Sequence, residues 1–340
     1  MSATALVLHD DINRATASLD DADSLDAVDA IAEALTSKGY QVRTLAFTGD
    51  LTAMRDQLAR LRPSFVFNAV ERVAGDPLML PVVPLLLDHL SLPYSGCDSA
   101  ALTATINKVQ TKRRLRAAGI RTADWVAQGE PLLFGEDWRG IIKPESEHAS
   151  FGLMDSSVVT GSTQAAQMLS ERAKRLGGAW FAETFLDGRE FHVAMLERDG
   201  KVQVLRPVEI VFLNYPPGKP RIMSFAAKWQ SESFENQNLD LALLPDHEDA
   251  LSRQLTDMAA RCWSLFGLSG YARIDLRTDR RGDLHVLEVN ANPCFWSTSS
   301  FGVAAGAAGL RYEDILSQLI AAGRRRADRA HRHRALALAG

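Results

Sequence analysis

Cysteine is scarce in this chain: Cys97, Cys262 and Cys294 are the three among 340 residues. They are too few and too scattered for a disulfide framework, or for a zinc site built on paired short spacings, so reduced thiols are expected. No uninterrupted apolar run approaches the roughly 20 residues that cross a bilayer. The first residues also lack a basic segment followed by a hydrophobic stretch and a cleavage site. No membrane partner is expected, and the chain reads as cytoplasmic. A basic excess is missing too: the formal net charge is −4, which offers nucleic acid no attractive field. There is no internal repeat, no low-complexity tract and no Walker-type phosphate loop. Gly302, Gly306 and Gly309 lack the strand-to-helix spacing of a dinucleotide site and read as residues that let helices pack closely.

What remains is an ordinary globular composition, 46% hydrophobic and 24% charged, in a chain long enough for two or three compact subdomains. The first hundred residues alternate short apolar runs (5–8, 42–47 and 65–68) with amphipathic stretches, the pattern of a parallel α/β unit. A helix is predicted over 24–38, capped by Ser24, ended by Gly39 and burying Leu25, Val28, Ile31 and Leu35. Ligands of such sheets sit beyond the carboxyl ends of the strands. Those ends carry His9, Asp10, Asp11, Asn68 and Glu71.

A second unit starts near Ala101 with a helix bearing Lys108 and Lys112. A strand, 140–143, then ends on Lys143 and runs into the polar loop 144–152, and a later strand is predicted over 180–186. A third unit opens with strand-like segments at 191–197, 202–206 and 208–212. A long aperiodic segment, 214–238, has the character of a lid or an insertion, and a helix is predicted over 249–266 with Cys262 on its inner face. The basic run from Arg324 to Arg334 reads as a frayed, solvated tail.

The most informative stretch is GYARIDLRTDRRGDLHVLEVNANP, 270–293, which reads as a hairpin around a turn containing Gly282. Period-two alternation puts Arg273 and Asp275 on one face and Ala272, Ile274 and Leu276 on the other. Folding brings Asp275 near Glu288 and Asn290. Two carboxylates and an amide oxygen on one face suit a hard cation that completes its shell with water and phosphate. Lys143, ending an apolar strand at a glycine-containing loop, reads as an anion contact.

With VFNAVE at 66–71, LPYSG at 92–96, NKVQTK at 107–112 and NANP at 290–293, the chain resembles the ATP-grasp superfamily, and within it the D-alanine–D-alanine ligase group. The resemblance implies an α/β fold with α+β lobes: an N-terminal domain, 1–104, on the substrate side, a central ATP-grasp lobe, 105–186, a C-terminal lobe with the metal site, 187–325, and a basic tail, 326–340. It implies ATP with one or two Mg2+ ions, for which Mn2+ can substitute, and a small carboxylic acid and an amine of amino-acid type as partners. It admits a homodimer. By the same resemblance Lys108 and Lys143 contact phosphates, the backbone of Glu183, Phe185 and Leu186 holds adenine, and Glu190 binds ribose. Loop 145–152, with Ser150, and Lys228 on the long segment close over the phosphates. Asp275, Glu288 and Asn290 hold the metal, and Arg273 with a backbone N–H near Cys294 stabilises the oxyanion of amide formation. Ser297, Thr298 and Ser299 recognise the second substrate, unless that run is a polar loop without a binding role.

The departures from the dipeptide-forming pattern concern substrate. Glu71 stands where a histidine is usual, His148, Ala149 and Ser150 replace a glycine and paired serines, and Trp229 replaces tyrosine. The acidic residue that would clamp a substrate amino group lies among Asp20, Asp21, Asp23 and Asp26. The expectation is a carboxylate–amine ligase working through an acyl phosphate, with Glu71 drawing a cationic group. A phosphoryl transferase without an amine acceptor and a non-catalytic nucleotide-binding protein are the alternatives.

Overall fold

The computed structural model describes residues 3–146 and 150–339, with side chains as far as Arg332; His148 and Ala149 lie outside the described residues. The chain opens with β1 (Thr4–Asp10), α1 (Leu19–Ser37), β2 (Gln41–Phe47), α2 (Leu51–Leu61), β3 (Phe65–Asn68) and α3 (Val82–His89). The three strands form a parallel sheet ordered β2-β1-β3. β1 is buried almost throughout because its apolar run Ala5, Leu6, Val7, Leu8 is covered on both faces. Helix α1 starts a turn and a half earlier than its apolar stripe suggests. Ser18, not Ser24, caps it by accepting from Asp21 N–H, and Asp20 and Asp21 fill its electropositive first turn. Ser24 instead bonds back to the carbonyl of Asp20.

α4 (Ser99–Thr105) and α5 (Lys108–Ala117) lead into β4 (Trp125–Ala127), β5 (Arg139–Pro144), β6 (Val158–Thr160), α6 (Gly161–Leu176) and β7 (Trp180–Thr184). These strands form an antiparallel sheet ordered β4-β7-β5-β6, backed by α6. β7 stops at Thr184, so Phe185 and Leu186 leave the sheet and lead into the next unit.

β8 (Glu190–Arg198), β9 (Lys201–Val204), β10 (Val208–Phe212), α7 (Phe225–Trp229), α8 (Phe234–Gln237), β11 (Leu239–Leu243), α9 (Asp249–Phe266), β12 (Tyr271–Thr278) and β13 (Leu284–Asn290) follow, then α10 (Ser300–Ala307) and α11 (Tyr312–Ala339). The strands build a six-stranded antiparallel sheet ordered β11-β10-β8-β12-β13, with β9 pairing β8. Segment 214–238 holds two short helices capped by Ser224 and Ser233. A single turn of helix offers too little periodicity to be read from sequence.

The basic run from Arg324 is corrected by the structure: it continues α11. Arg326 lies 3.8 Å over the Tyr94 ring and donates to the carbonyls of Tyr94 and Gly96, while Arg325 pairs with Glu197. Gly323 permits this docking, since a Cβ there would stand 2.2 Å from the Tyr94 carbonyl oxygen. No helix among the described residues is long and apolar enough to cross a membrane.

Candidate active site

The parallel sheet, the central sheet and the large sheet converge on a cavity of about 550 Å³. Every residue given a nucleotide, metal, catalytic or substrate role by the resemblance lines it except Ser297, whereas of the strand-end residues Glu71 lines it and His9, Asp10, Asp11 and Asn68 do not. The elements converge because each supplies its contact from a strand end or a helix start: Glu71 after β3, Lys108 at the start of α5, Lys143 on β5, Glu190 on β8.

The floor is the β12–β13 hairpin. Its register sets Asp275 opposite Glu288 and Arg273 opposite Asn290, with a bulge after Asp275. Apolar Ile274, Leu276 and Val289 on the reverse face are fully or almost fully buried, which fixes the register, since a slip by one residue would turn them into the cavity. Arg273 grips Asp275 with a two-pronged contact, Nε to Oδ1 at 2.6 Å and Nη2 to Oδ2 at 2.8 Å. Burial alone would lower the guanidinium pKa, but Asp275 outweighs it and the group is held above the ordinary arginine value. Lys108 Nζ lies 3.5 Å from Glu288 Oε1.

Asp275, Glu288 and the amide oxygen of Asn290 form a donor set that fits a hard cation. All are oxygen donors, and two carboxylates with an amide are too few to complete an octahedral shell, leaving positions for phosphate and water. Among the described residues no group of three or more His, Cys, Asp or Glu side chains converges as a metal site, so this set of two carboxylates depends on the Asn290 amide and on outside ligands.

Around the Glu183–Leu186 segment the side chains are committed in ways the sequence does not announce. The Glu183 carboxylate is 1% exposed and lies between two ammonium groups, Lys143 Nζ at 2.6 Å and Lys112 Nζ at 2.5 Å. Burial would raise its pKa, yet the two lysines bring it down to about 2. Glu190 is buried against Arg277, Nη1 to Oε2 at 2.8 Å, and the Arg277 guanidinium lies 5.2 Å over the Phe185 ring. His192 lies between the two carboxylates, Nε2 being 3.8 Å from Glu190 Oε1 and 3.7 Å from Asp275 Oδ2, while Nδ1 bonds Ser300 Oγ at 2.8 Å.

Lys112, His192 and Arg277 were not among the residues singled out from sequence. The strand period was the available signal for two of them, since His192 follows Glu190 by two and Arg277 follows Asp275 by two. Lys112 lies in the buried stripe of α5 with Val109 and Leu115, and a lysine in an apolar stripe is not ordinarily a clue to chemistry.

Two loops form the cover. Ser150 Oγ donates to the carbonyl of Met223 at 2.8 Å and Phe225 N–H to that of Leu153 at 2.9 Å. Lys219 ties the same loops by reaching Asp155 at 2.5 Å and Glu235 at 2.6 Å. From α7, Lys228 reaches into the cavity.

On the side of the parallel sheet, Asp10 accepts from the backbone N–H groups of Glu71 and Arg72 at 2.8 and 3.0 Å and so shapes the turn that presents Glu71. The aspartates at the start of α1 divide their duties: Asp20 and Asp23 line the cavity, Asp21 pairs with Arg72, and Asp26 with Arg14. Cys294 is exposed and lines the cavity. Ser299 lines the wall but also caps α10, its hydroxyl accepting from Gly302 N–H and facing the carbonyl of Trp296 at 2.7 Å. Gly302 lets that loop lie against α10, where a Cβ would meet the Trp296 carbonyl oxygen at 1.7 Å.

The family model described as D-ala D-ala ligase C-terminus matches residues 137–321, more than half of the chain. The chain belongs to this ligase family. A D-alanine–D-alanine ligase of Aquifex aeolicus is 27% identical over 303 residues, covering 87% of this chain and 94% of that relative. D-alanine–D-alanine ligase A of Mesorhizobium japonicum is 32% identical over 235 residues, 67% of this chain and 62% of the relative. In fold, the chain is similar to the Bacillus anthracis D-alanine–D-alanine ligase solved with ATP, with a TM-score of 0.74 at 20% identity over 96% of this chain and 99% of the other. The ATP-grasp ligase fold expected from the sequence motifs is borne out. As a member of the ligase family, the chain joins the metal-type hairpin, the lysines and the arginine in one cavity.

Proposed function

We propose that this chain is an ATP- and Mg2+-dependent ligase that activates the carboxylate of one amino-acid-type substrate as an acyl phosphate and joins it to the amine of another. The carrying observation is the convergence of Asp275, Glu288 and Asn290 with Arg273, Lys108 and Lys143 on one cavity. When bound, the Mg2+–ATP complex supplies the phosphoryl group that makes the carboxylate reactive, leaving ADP, then phosphate once the amine has displaced it.

In this reading Asp275, Glu288 and Asn290 hold the metal, on one site or two, and Mn2+ serves in its place. Lys108, Lys143 and Lys228 face the phosphates, and the backbone from Glu183 to Leu186 holds adenine. Glu190 is turned to the ribose with one oxygen steadied by Arg277. Arg273 and the backbone at Cys294 face the developing oxyanion, where donors fixed in advance act without reorganisation. The joined loops bearing Ser150 and Lys228 exclude water, which would otherwise hydrolyse the acyl phosphate. Ser299 borders the second substrate, whereas Ser297 stands off the wall. The enzyme works in the cytoplasm.

Glu71, Asp20 and Asp23 make the substrate side of the cavity anionic, which favours a substrate bearing a cationic group. Glu71→His is expected to shift preference away from such substrates by about tenfold or more in kcat/KM, from the loss of one close charge interaction, while MgATP affinity is unchanged. Mass spectrometry of products from a mixed panel of neutral and cationic amino acids reads it. The ligase reading predicts masses equal to two substrates less water. An unaltered product profile in the variant would remove Glu71 from substrate choice.

A further inference from the structure

Lys112 lies outside the cavity wall, behind Glu183. Its side chain is 1% exposed, and its ammonium has three neighbours: Thr122 Oγ1 at 2.8 Å, the carbonyl of Ala123 at 3.2 Å and Glu183 Oε2 at 2.5 Å. The remaining carboxylate oxygen, Oε1, faces Lys143 Nζ at 2.6 Å, and Lys143 is the cation of the cluster that borders the cavity. Thr122 donates onward to the carbonyl of Val286 at 2.8 Å, on the strand that carries Glu288 two residues later.

A buried carboxylate with a single lysine is a neutral pair, and its attraction draws the ammonium inward. With two lysines, one carboxylate oxygen is held from behind and the cluster keeps one net positive charge, which Lys143 presents at the cavity. A buried excess charge is costly until an anion completes it, and a charge-assisted contact to phosphate does so.

We propose that Lys112 is a positioning residue for the nucleotide, acting through Glu183 to hold Lys143 and the surplus positive charge toward the phosphates. The inference rests on the reading of Lys143 as a phosphate contact. Lys112 itself touches no substrate. It anchors the carboxylate from the core side and ties the cluster, by way of Thr122, to the strand of the metal-type carboxylate Glu288.

Titration calorimetry of the full chain with MgATP and, separately, with adenosine tests this, because adenosine makes every hinge contact and no phosphate contact. Lys112→Met is expected to weaken MgATP about tenfold, the scale of one charge-assisted contact, and to leave adenosine unchanged. Lys112→Arg, which keeps the charge and can reach the same carboxylate, is expected to restore most of the loss. Lys112→Met leaves Glu183 and Lys143 as a neutral pair with no surplus charge for phosphate, whereas the double variant Lys112→Met with Glu183→Gln leaves Lys143 its positive charge and no inward pull, and is expected to bind MgATP within a fewfold of the native chain.

A double variant weakened tenfold or more toward MgATP, or parallel weakening of MgATP and adenosine in Lys112→Met, overturns the proposal. Lys143→Met separates the two ideas. If Lys143→Met binds MgATP like the native chain, the phosphate reading of Lys143 fails and the path through it fails too. If Lys143→Met is weakened and Lys112→Met is not, the role of Lys112 alone falls.

Discussion

Replacing Arg273 by methionine lowers turnover by roughly 10²–10³-fold, the loss seen when one fixed oxyanion donor is removed, while MgATP binding is retained. The expectation follows from how Arg273 is held. Its Nε and Nη2 grip both oxygens of Asp275, so the guanidinium is oriented before any substrate arrives, and no ordering remains to be done in the transition state. Methionine keeps the length of the stem and removes all five donors. Because the proposed adenine and phosphate contacts come from other elements, the larger effect falls on kcat and the smaller on the KM for ATP. Steady-state ADP release over a range of ATP concentrations separates the two, and turnover within tenfold of the native rate would remove Arg273 from the chemistry.

Glu183→Gln destabilises the folded chain by about 2–3 kcal/mol at neutral pH, and the penalty disappears in acid. The carboxyl is held at about 2 against an ordinary 4.5, a difference worth roughly 3 kcal/mol. Lys112, which burial holds below the ordinary lysine value despite Glu183, offsets part of it. For a carboxyl whose folded pKa lies below its unfolded one, the stabilisation is complete above pH 4.5 and is lost as pH falls toward 2. Urea unfolding of both chains at pH 7 and near pH 3 measures this. A gap that is wide at pH 7 and narrow near pH 3 is expected, and an equal gap at both would assign the loss to packing.

The hairpin was legible in the sequence because two codes agree there. Alternation placed Ala272, Ile274, Leu276 and Val289 inward, and the same alternation placed Arg273, Asp275, Glu288 and Asn290 together on the other face. The parallel order of the first three strands was legible for a similar reason, since short apolar runs separated by one amphipathic helix each leave little topological choice.

Other parts were hidden by physics that a linear pattern does not carry. Lys112 and Glu183 lie far apart in sequence: their pairing is made where α5 meets β7, and no composition, periodicity or spacing in the chain encodes it. The start of α1 was misplaced because Ser18 and Asp20 stabilise a turn that precedes the apolar stripe. The end of α11 was missed because charge suggested solvation, whereas Arg326 uses its charge on the Tyr94 ring and two backbone carbonyls. Strand β11 went unread beside the long segment: its side chains are only partly buried, so apolar alternation there is faint.

The most direct measurement is ADP release with MgATP from a panel of amino acids and amines offered singly and in pairs, with Asp275→Asn as control. The ligase account predicts release that requires a carboxylate and an amine together, a condensed product, and loss of both in the control. Stoichiometric ADP and a phosphorylated product from one substrate alone, with no need of an amine, would contradict it.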